Sequence, residues 1–174
     1  FDPDKLSWLN EHYIKTTPPE ELAKQLEPVL VRTGVLKEEN GLDSKEIAKV
    51  IPSLNERAKT LVEMAEKSTF YFKKEVEFDE KAKTKFLTTE AKPLLEKAIA
   101  GLSQLENFST EEIEALFKKI VEEEGIKLGK LAQPVRVALT GTTVSPGIYD
   151  VILLLGREQT LARLKNALQI ASDC

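Results

Sequence analysis

Lys127–Leu155 reads KLGKLAQPVRVALTGTTVSPGIYDVILLL, and its punctuation decides how the chain folds. Leu131, Val135, Ala138 and Leu139 recur at spacings of four, three and one, which put them on one buried helical face. Arg136 falls between them on a different face. Gly141 supplies the backbone freedom that ends a helix. After the short polar connection Thr142-Thr143-Val144, Ser145-Pro146-Gly147 opens a second helix, with Ser145 as N-cap and Pro146 in the first turn. Two helices thus meet at a turn, with Arg136 one helix length away from a fresh set of unpaired N–H donors, a place suited to a polar or anionic group.

Working outward, the same grammar repeats. Asp2-Pro3 starts a helix whose Leu6, Leu9 and Tyr13 share a face, with Trp8 beside them, a face that needs something to pack against. Thr17-Pro18-Pro19-Glu20 has the form of a capping box for a second helix through Leu22, Leu26 and Val29, with Pro28 expected to bend or end it. Lys37–Leu42 is a polar loop. Asp43 begins a third helix that Pro52 is expected to terminate, and Ser53 caps a fourth on the stripe Leu54, Ala58, Leu61, Ala65. Phe70, Tyr71 and Phe72 fit core packing better than base stacking. The charge-dense strip KKEVEFDEKAKTK, Lys73–Lys85, reads as a linker or exposed helical connection. Further on, Phe108-Ser109-Thr110-Glu111-Glu112-Ile113 is the clearest helix start in the chain, and Leu161, Leu164, Ala167 and Leu168 form the last helix. No segment alternates as a strand would. The expected fold is all-α, about nine helices in two small bundles in tandem.

A chain of 174 residues with 41% hydrophobic and 31% charged residues can bury a sizeable core. No apolar run approaches the roughly 20 residues of a membrane span, so no membrane partner is expected. A single cysteine, Cys174, excludes an internal disulfide and a cysteine metal cluster, and points to a reducing compartment. His12 is also alone and reads as a surface or packing residue. The chain opens on Phe1 and not on Met, as a fragment or processed product would. Its net charge of −4 argues against indiscriminate nucleic-acid binding. From Lys127 onward, however, six Lys and Arg stand against three Asp and Glu, a local +3 that leaves −7 on residues 1–126. A small, locally basic surface suffices where single-stranded RNA is read by stacking and base-edge hydrogen bonds. The alternative for Arg136 is an ion pair within the bundle, with Asp150 as its partner. No P-loop, HExxH or Gly-x-Gly-x-x-Gly motif is present, and Gly125–Lys130 reads as an interhelical turn, so neither a cofactor site nor a metal site is expected in this chain.

The spaced run Gly129-Lys130-Leu131-x-Gln133-Pro134-x-Arg136-x-Ala138-Leu139-Thr140-Gly141, then Ser145-Pro146-Gly147 and Leu155-Gly156-Arg157-Glu158, resembles the C-terminal anticodon-binding region of bacterial-type glutamyl-tRNA synthetases. Phe1-Asp2-x-x-Lys5-Leu6-x-Trp8-Leu9-Asn10-x-x-Tyr13-Ile14 resembles the segment that follows the catalytic half in the same family. The polar loop at Lys37–Leu42 and the charged strip near Asp79 divide the chain into residues 1–36, 37–78 and 79–174, and the resemblance implies for these a helical segment continuing from the catalytic and stem-contact half, a first anticodon-binding subdomain and a second anticodon-binding bundle. It implies RNA contacts at Arg136, Ser145, Pro146 and Ile148, with Arg57 a further candidate in the first bundle; Ser145 stands where the family pattern has threonine. Gln133 and Pro134 match the motif and read as helix-start geometry. By the same resemblance the parent is a monomeric cytoplasmic enzyme that uses ATP and Mg to join glutamate to tRNA, while this chain binds the anticodon stem-loop, not DNA, and lacks the synthetase signature motifs of the missing N-terminal catalytic half. Two alternatives stand beside it: a helical protein-interaction module, and a relaxed enzyme of this family that charges both glutamate and glutamine tRNAs.

Overall fold

A computed structural model describes residues 2–37 and 43–173, and among these every regular element is an α-helix. The chain is all-α, as its periodicity predicts, with ten helices among the described residues. The chain divides into two compact units, Phe1–Lys74 and Glu75–Cys174. The expected loop at Lys37–Leu42 lies, for residues 38–42, outside the described residues, as do Phe1 and Cys174.

In the first unit, α1 (Pro3–Thr16) is followed by α2 (Pro19–Arg32), α3 (Ser44–Leu54) and α4 (Leu61–Phe72). Asp2 caps α1 by accepting from the Asp4 and Lys5 amides, and Asp43 caps α3 through the Lys45 amide. The capping box read at Thr17 does not form. Thr17 Oγ1 donates back to the Tyr13 carbonyl at 2.6 Å, so its hydroxyl closes α1 and α2 starts behind Pro18 with no side-chain cap. Pro28 and Pro52 each sit inside a helix without ending it. Both are on the exposed side, where water can meet the carbonyl that proline leaves without its donor.

The stripe Leu54–Ala65 is not one helix either. The chain breaks over residues 55–60, yet Leu54, Ala58 and Ala65 all remain buried, so helical spacing survived across a turn. Thr60 marks the true start: its hydroxyl accepts from the Glu63 amide at 3.1 Å, and Glu63 Oε2 accepts from the Lys59 amide at 2.9 Å. Ser53 stays in α3, where its Oγ lies 3.1 Å from the Tyr71 hydroxyl. Tyr71 is buried and its neighbours Phe70 and Phe72 are half-buried, which is core packing.

In the second unit, the charged strip ends in a short helix, α5 (Glu80–Phe86), capped by Asp79, and this raises the count above nine. Then come α6 (Lys92–Gln104), α7 (Thr110–Glu124), α8 (Leu128–Thr140), α9 (Ile148–Leu155) and α10 (Arg157–Ser172). Ser109 caps α7 through the Glu112 amide at 3.3 Å. α8 is the axle: it packs against α5, α6, α7, α9 and α10. Leu131, Val135, Ala138 and Leu139 are buried as expected, but so are Ala132, Pro134 and Val137, because neighbours surround the helix on several faces. Pro134 is therefore a mid-helix residue and not part of a helix start. Each fully buried leucine or phenylalanine contributes about 1.5–3 kcal/mol, and Phe117 adds an edge-on contact to Tyr149 at 5.6 Å.

α10 buries two polar residues that a hydrophobic stripe does not announce, Thr160 and Arg163. Arg163 Nη1 donates to the Leu139 carbonyl at 2.6 Å, one of the α8 carbonyls left without an intrahelical partner. Burial pulls the Arg163 pKa down to about 10, so the group stays cationic at neutral pH.

α8 stops at Gly141, in the left-handed region at φ 81°. A Cβ there would lie 2.0 Å from the Glu77 carbonyl oxygen, and the Asp79 amide donates to the Gly141 carbonyl at 2.8 Å. The segment before α5 is thus strapped across the end of α8, and only glycine leaves room for it. Gly141→Ala is expected to lower stability by roughly 2 kcal/mol or more, combining left-handed strain with displacement of the strap, and urea unfolding reads this as a lower midpoint at unchanged slope. Arg163→Met keeps the length and removes the donors, leaving the Leu139 carbonyl without that partner. Its expected cost is about 1–3 kcal/mol by the same measurement; an unchanged midpoint would mean another donor replaces the guanidinium.

Candidate nucleic-acid interface

Three elements build the site: the last turns of α8, the turn over residues 141–147 and the start of α9. Thr140 organises the exit from the helix. Its hydroxyl donates to the Arg136 carbonyl at 2.8 Å and accepts from the Thr142 amide at 3.3 Å. Thr142 Oγ1 in turn donates to the Val144 carbonyl at 2.8 Å. These local bonds replace the helical ladder and hold the turn in one shape, with the Val144 side chain 74% exposed at its tip.

Arg136 and Ser145 meet across this turn. Arg136 Nε donates to Ser145 Oγ at 2.9 Å, and Ser145 Oγ donates to the Pro146 carbonyl at 2.7 Å. The guanidinium is half-buried and Ser145 is buried. Ser145 is therefore not the N-cap of α9. Gly147 holds that position with no side-chain cap, because the serine hydroxyl is already committed to the arginine and the proline carbonyl. Asp150, exposed in the first turn of α9, supplies the negative charge that a helix start favours.

Pro146 and Ile148 are both buried. Arg57 belongs to the other unit, exposed in the turn between α3 and α4, where its carbonyl accepts from Lys67 Nζ. Gln133 is half-buried, and its Oε1 has no hydrogen-bond partner. Phe117, against the α9 tyrosine, completes the support: burial raises the Tyr149 phenol above its usual pKa and keeps it protonated. The sequence pattern missed Thr140, which looks like one more polar residue at a helix end. Its signal is positional, a hydroxyl just before the glycine stop, able to bond four residues back. No group of three or more His, Cys, Asp or Glu that could hold a metal ion occurs among the described residues. Among the same residues, no helix is long and apolar enough to cross a membrane.

Residues 21–168 match the protein-family model described as "Anticodon binding domain". Glutamate--tRNA ligase of Thermodesulfovibrio yellowstonii is 46% identical over 168 residues, 97% of this chain and 36% of that protein. The corresponding ligase of Geotalea uraniireducens is 47% identical, over 97% of this chain and 35% of its own length. A crystal structure of a glutamate tRNA ligase from Elizabethkingia meningosepticum superposes with a TM-score of 0.82 at 26% identity, covering 97% of this chain and 32% of that one. The chain thus spans about a third of the length of the curated relatives it matches. The matched span runs through both compact units and contains the whole Arg136–Ser145 turn, and the chain belongs to the anticodon-binding domain family.

Proposed function

We propose that this chain is the C-terminal anticodon-recognition part of a glutamate–tRNA ligase, a cytoplasmic and monomeric enzyme that joins glutamate to its tRNA at the expense of ATP with Mg. ATP, Mg and the chemistry belong to the portion outside this chain, which by itself binds RNA and catalyses nothing. The observation that carries the reading is the 2.9 Å bond from Arg136 Nε to Ser145 Oγ inside the family-matched span. It turns a flexible side chain into an oriented planar donor, suited to the O2 or N3 acceptors of a pyrimidine or to stacking on its face.

Ser145 has a narrower part than its hydroxyl suggests. Its proton goes to the Pro146 carbonyl and one lone pair receives Arg136, so one acceptor position remains for a base N–H. Its chief role is to aim the guanidinium. On this reading Pro146 and Ile148 supply the apolar contacts to the base, through the small part of their surface left exposed. Arg57, exposed on the first unit, offers a second cationic contact to the RNA.

Titration of a fluorescent anticodon stem-loop of glutamate tRNA tests this. Arg136→Ala is expected to weaken binding by about 10- to 100-fold, the loss of a charged hydrogen bond of roughly 1.5–3 kcal/mol. Ser145→Thr should bind close to the parent chain, and Ser145→Ala should fall between, since the arginine remains but is no longer aimed. Unchanged affinity in Arg136→Ala overturns the assignment, and a wild-type chain that ignores the stem-loop favours a protein-interaction module instead. Arg57→Ala is expected to cost less, about 1 kcal/mol, and that cost should shrink in high salt as an exposed charge contact does.

A further inference from the structure

Residues 55–60 form the turn between α3 and α4, and its middle is held more firmly than joining two helices requires. The Arg57 amide donates to the Leu54 carbonyl at 2.9 Å, and the next residue, Ala58, is buried. α4 grips the same turn with two side chains one helical turn apart. Glu63 Oε2 accepts from the Lys59 amide at 2.9 Å, and Lys67 Nζ donates to the Arg57 carbonyl. From α1, Lys15 adds an ion pair to Glu56 at 3.1 Å. Three consecutive residues outside any helix are thus fixed by a backbone bond, a buried methyl group and two side-chain clamps.

Neither clamp is what the start of α4 needs. Thr60 is its N-cap, and a capping box would send the Glu63 carboxylate back to the Thr60 amide. The carboxylate reaches one residue further, to Lys59, so its bond orders the turn. Lys67 is exposed, where an ammonium is ordinarily left in water, and committing it to a carbonyl costs its long stem rotamer freedom. Both side chains converge on the two residues that flank Ala58, and the side chains of those two, Arg57 and Lys59, are exposed. A guanidinium standing on a fixed backbone sweeps a smaller volume than one on a loose loop, and loses less entropy on meeting an acceptor.

We infer that Glu63 and Lys67 are positioning residues for Arg57: they clamp the backbone on which it stands and so set the direction from which its guanidinium meets RNA. The inference rests on Arg57 being an RNA contact, and needs no contact from Glu63 or Lys67 themselves. Glu63 gives the sharper test, because charge and positioning pull in opposite directions. Removing a carboxylate from an acidic chain strengthens its attraction to a polyanion, whereas losing the clamp weakens the Arg57 contact. In the stem-loop titration Glu63→Met is expected to bind about two- to four-fold more weakly, within the roughly five-fold that corresponds to the cost assigned to Arg57→Ala. Glu63→Gln keeps an acceptor and should recover most of the parent affinity. In an Arg57→Ala background Glu63→Met should add no further loss. Equal or tighter binding by Glu63→Met, or a loss that persists without Arg57, overturns the inference. Backbone amide NMR relaxation of the 174-residue chain reads the clamp without RNA. The heteronuclear NOE at Arg57 and Lys59 should match the flanking helices in the parent chain and fall in Glu63→Met and in Lys67→Met. An unchanged NOE overturns the clamp while Arg57 still stands as a contact. A lowered NOE with unchanged affinity in Arg57→Ala sinks the contact itself, and the inference with it.

Discussion

The carbonyl end of α8 is where this structure is most constrained. Any helix leaves its last carbonyls without amide partners, and α8 ends among packed neighbours where water does not easily replace them. Three carbonyls at this end are met by different groups: Val137 by the Gly141 amide, Leu139 by Arg163 from α10, and Gly141, just past the helix, by the Asp79 amide from the strap before α5. Two stretches distant in sequence, the strap before α5 and the middle of α10, are thereby fixed to one turn. Gly141 is the keystone of that arrangement, since a side chain there would occupy the space that the Glu77 carbonyl fills.

The same constraint explains why the polar residues of this unit are where they are. Thr140, Ser145, Thr160 and Arg163 are its buried polar side chains, and all lie between the end of α8 and the middle of α10. In a low-dielectric setting hydrogen bonds strengthen and an unmet polar group becomes costly, so a network of this kind rigidifies the backbone it serves. Arg136 inherits the rigidity at second hand. Its backbone carbonyl is held by Thr140 and its Nε by Ser145, so the guanidinium is oriented before anything binds. Preorganisation of this sort reduces the entropy that a long side chain would otherwise lose on contact with a base.

Much of the fold was legible because helical signals are local. The caps at Asp2, Asp43 and Ser109, the stop at Gly141 and the buried residues of α8 all follow from neighbours within a few positions. What escaped was tertiary or ambiguous. Thr17 could cap forward or bond backward, and the backward bond won. Leu54 and Ala65 kept helical spacing across a turn, since burial alone does not require that the intervening backbone be helical. Pro28 and Pro52 were tolerated because of which side they face, a fact set by packing. In the candidate site, Arg136 and Ser145 were legible as neighbours of one turn, but the serine's commitment to the arginine rather than to the helix start depends on the exact path of residues 141–147. The strap onto Gly141 joins residues more than sixty positions apart and leaves no local mark beyond the glycine itself.

On the proposed reading an acidic chain binds RNA, and the placement of charge makes the two compatible. Unselective attraction to phosphate grows with the number of cations a protein presents, and here residues 1–126 carry a deficit while the α8–α10 end carries the excess. On the proposed reading, binding therefore depends less on the field of the whole molecule than on a few oriented donors. That makes it sensitive to geometry. A guanidinium half-buried against a serine gains directional hydrogen bonding and loses part of its long-range pull, which is the exchange expected of a surface that must distinguish one anticodon from another and not merely hold a polyanion.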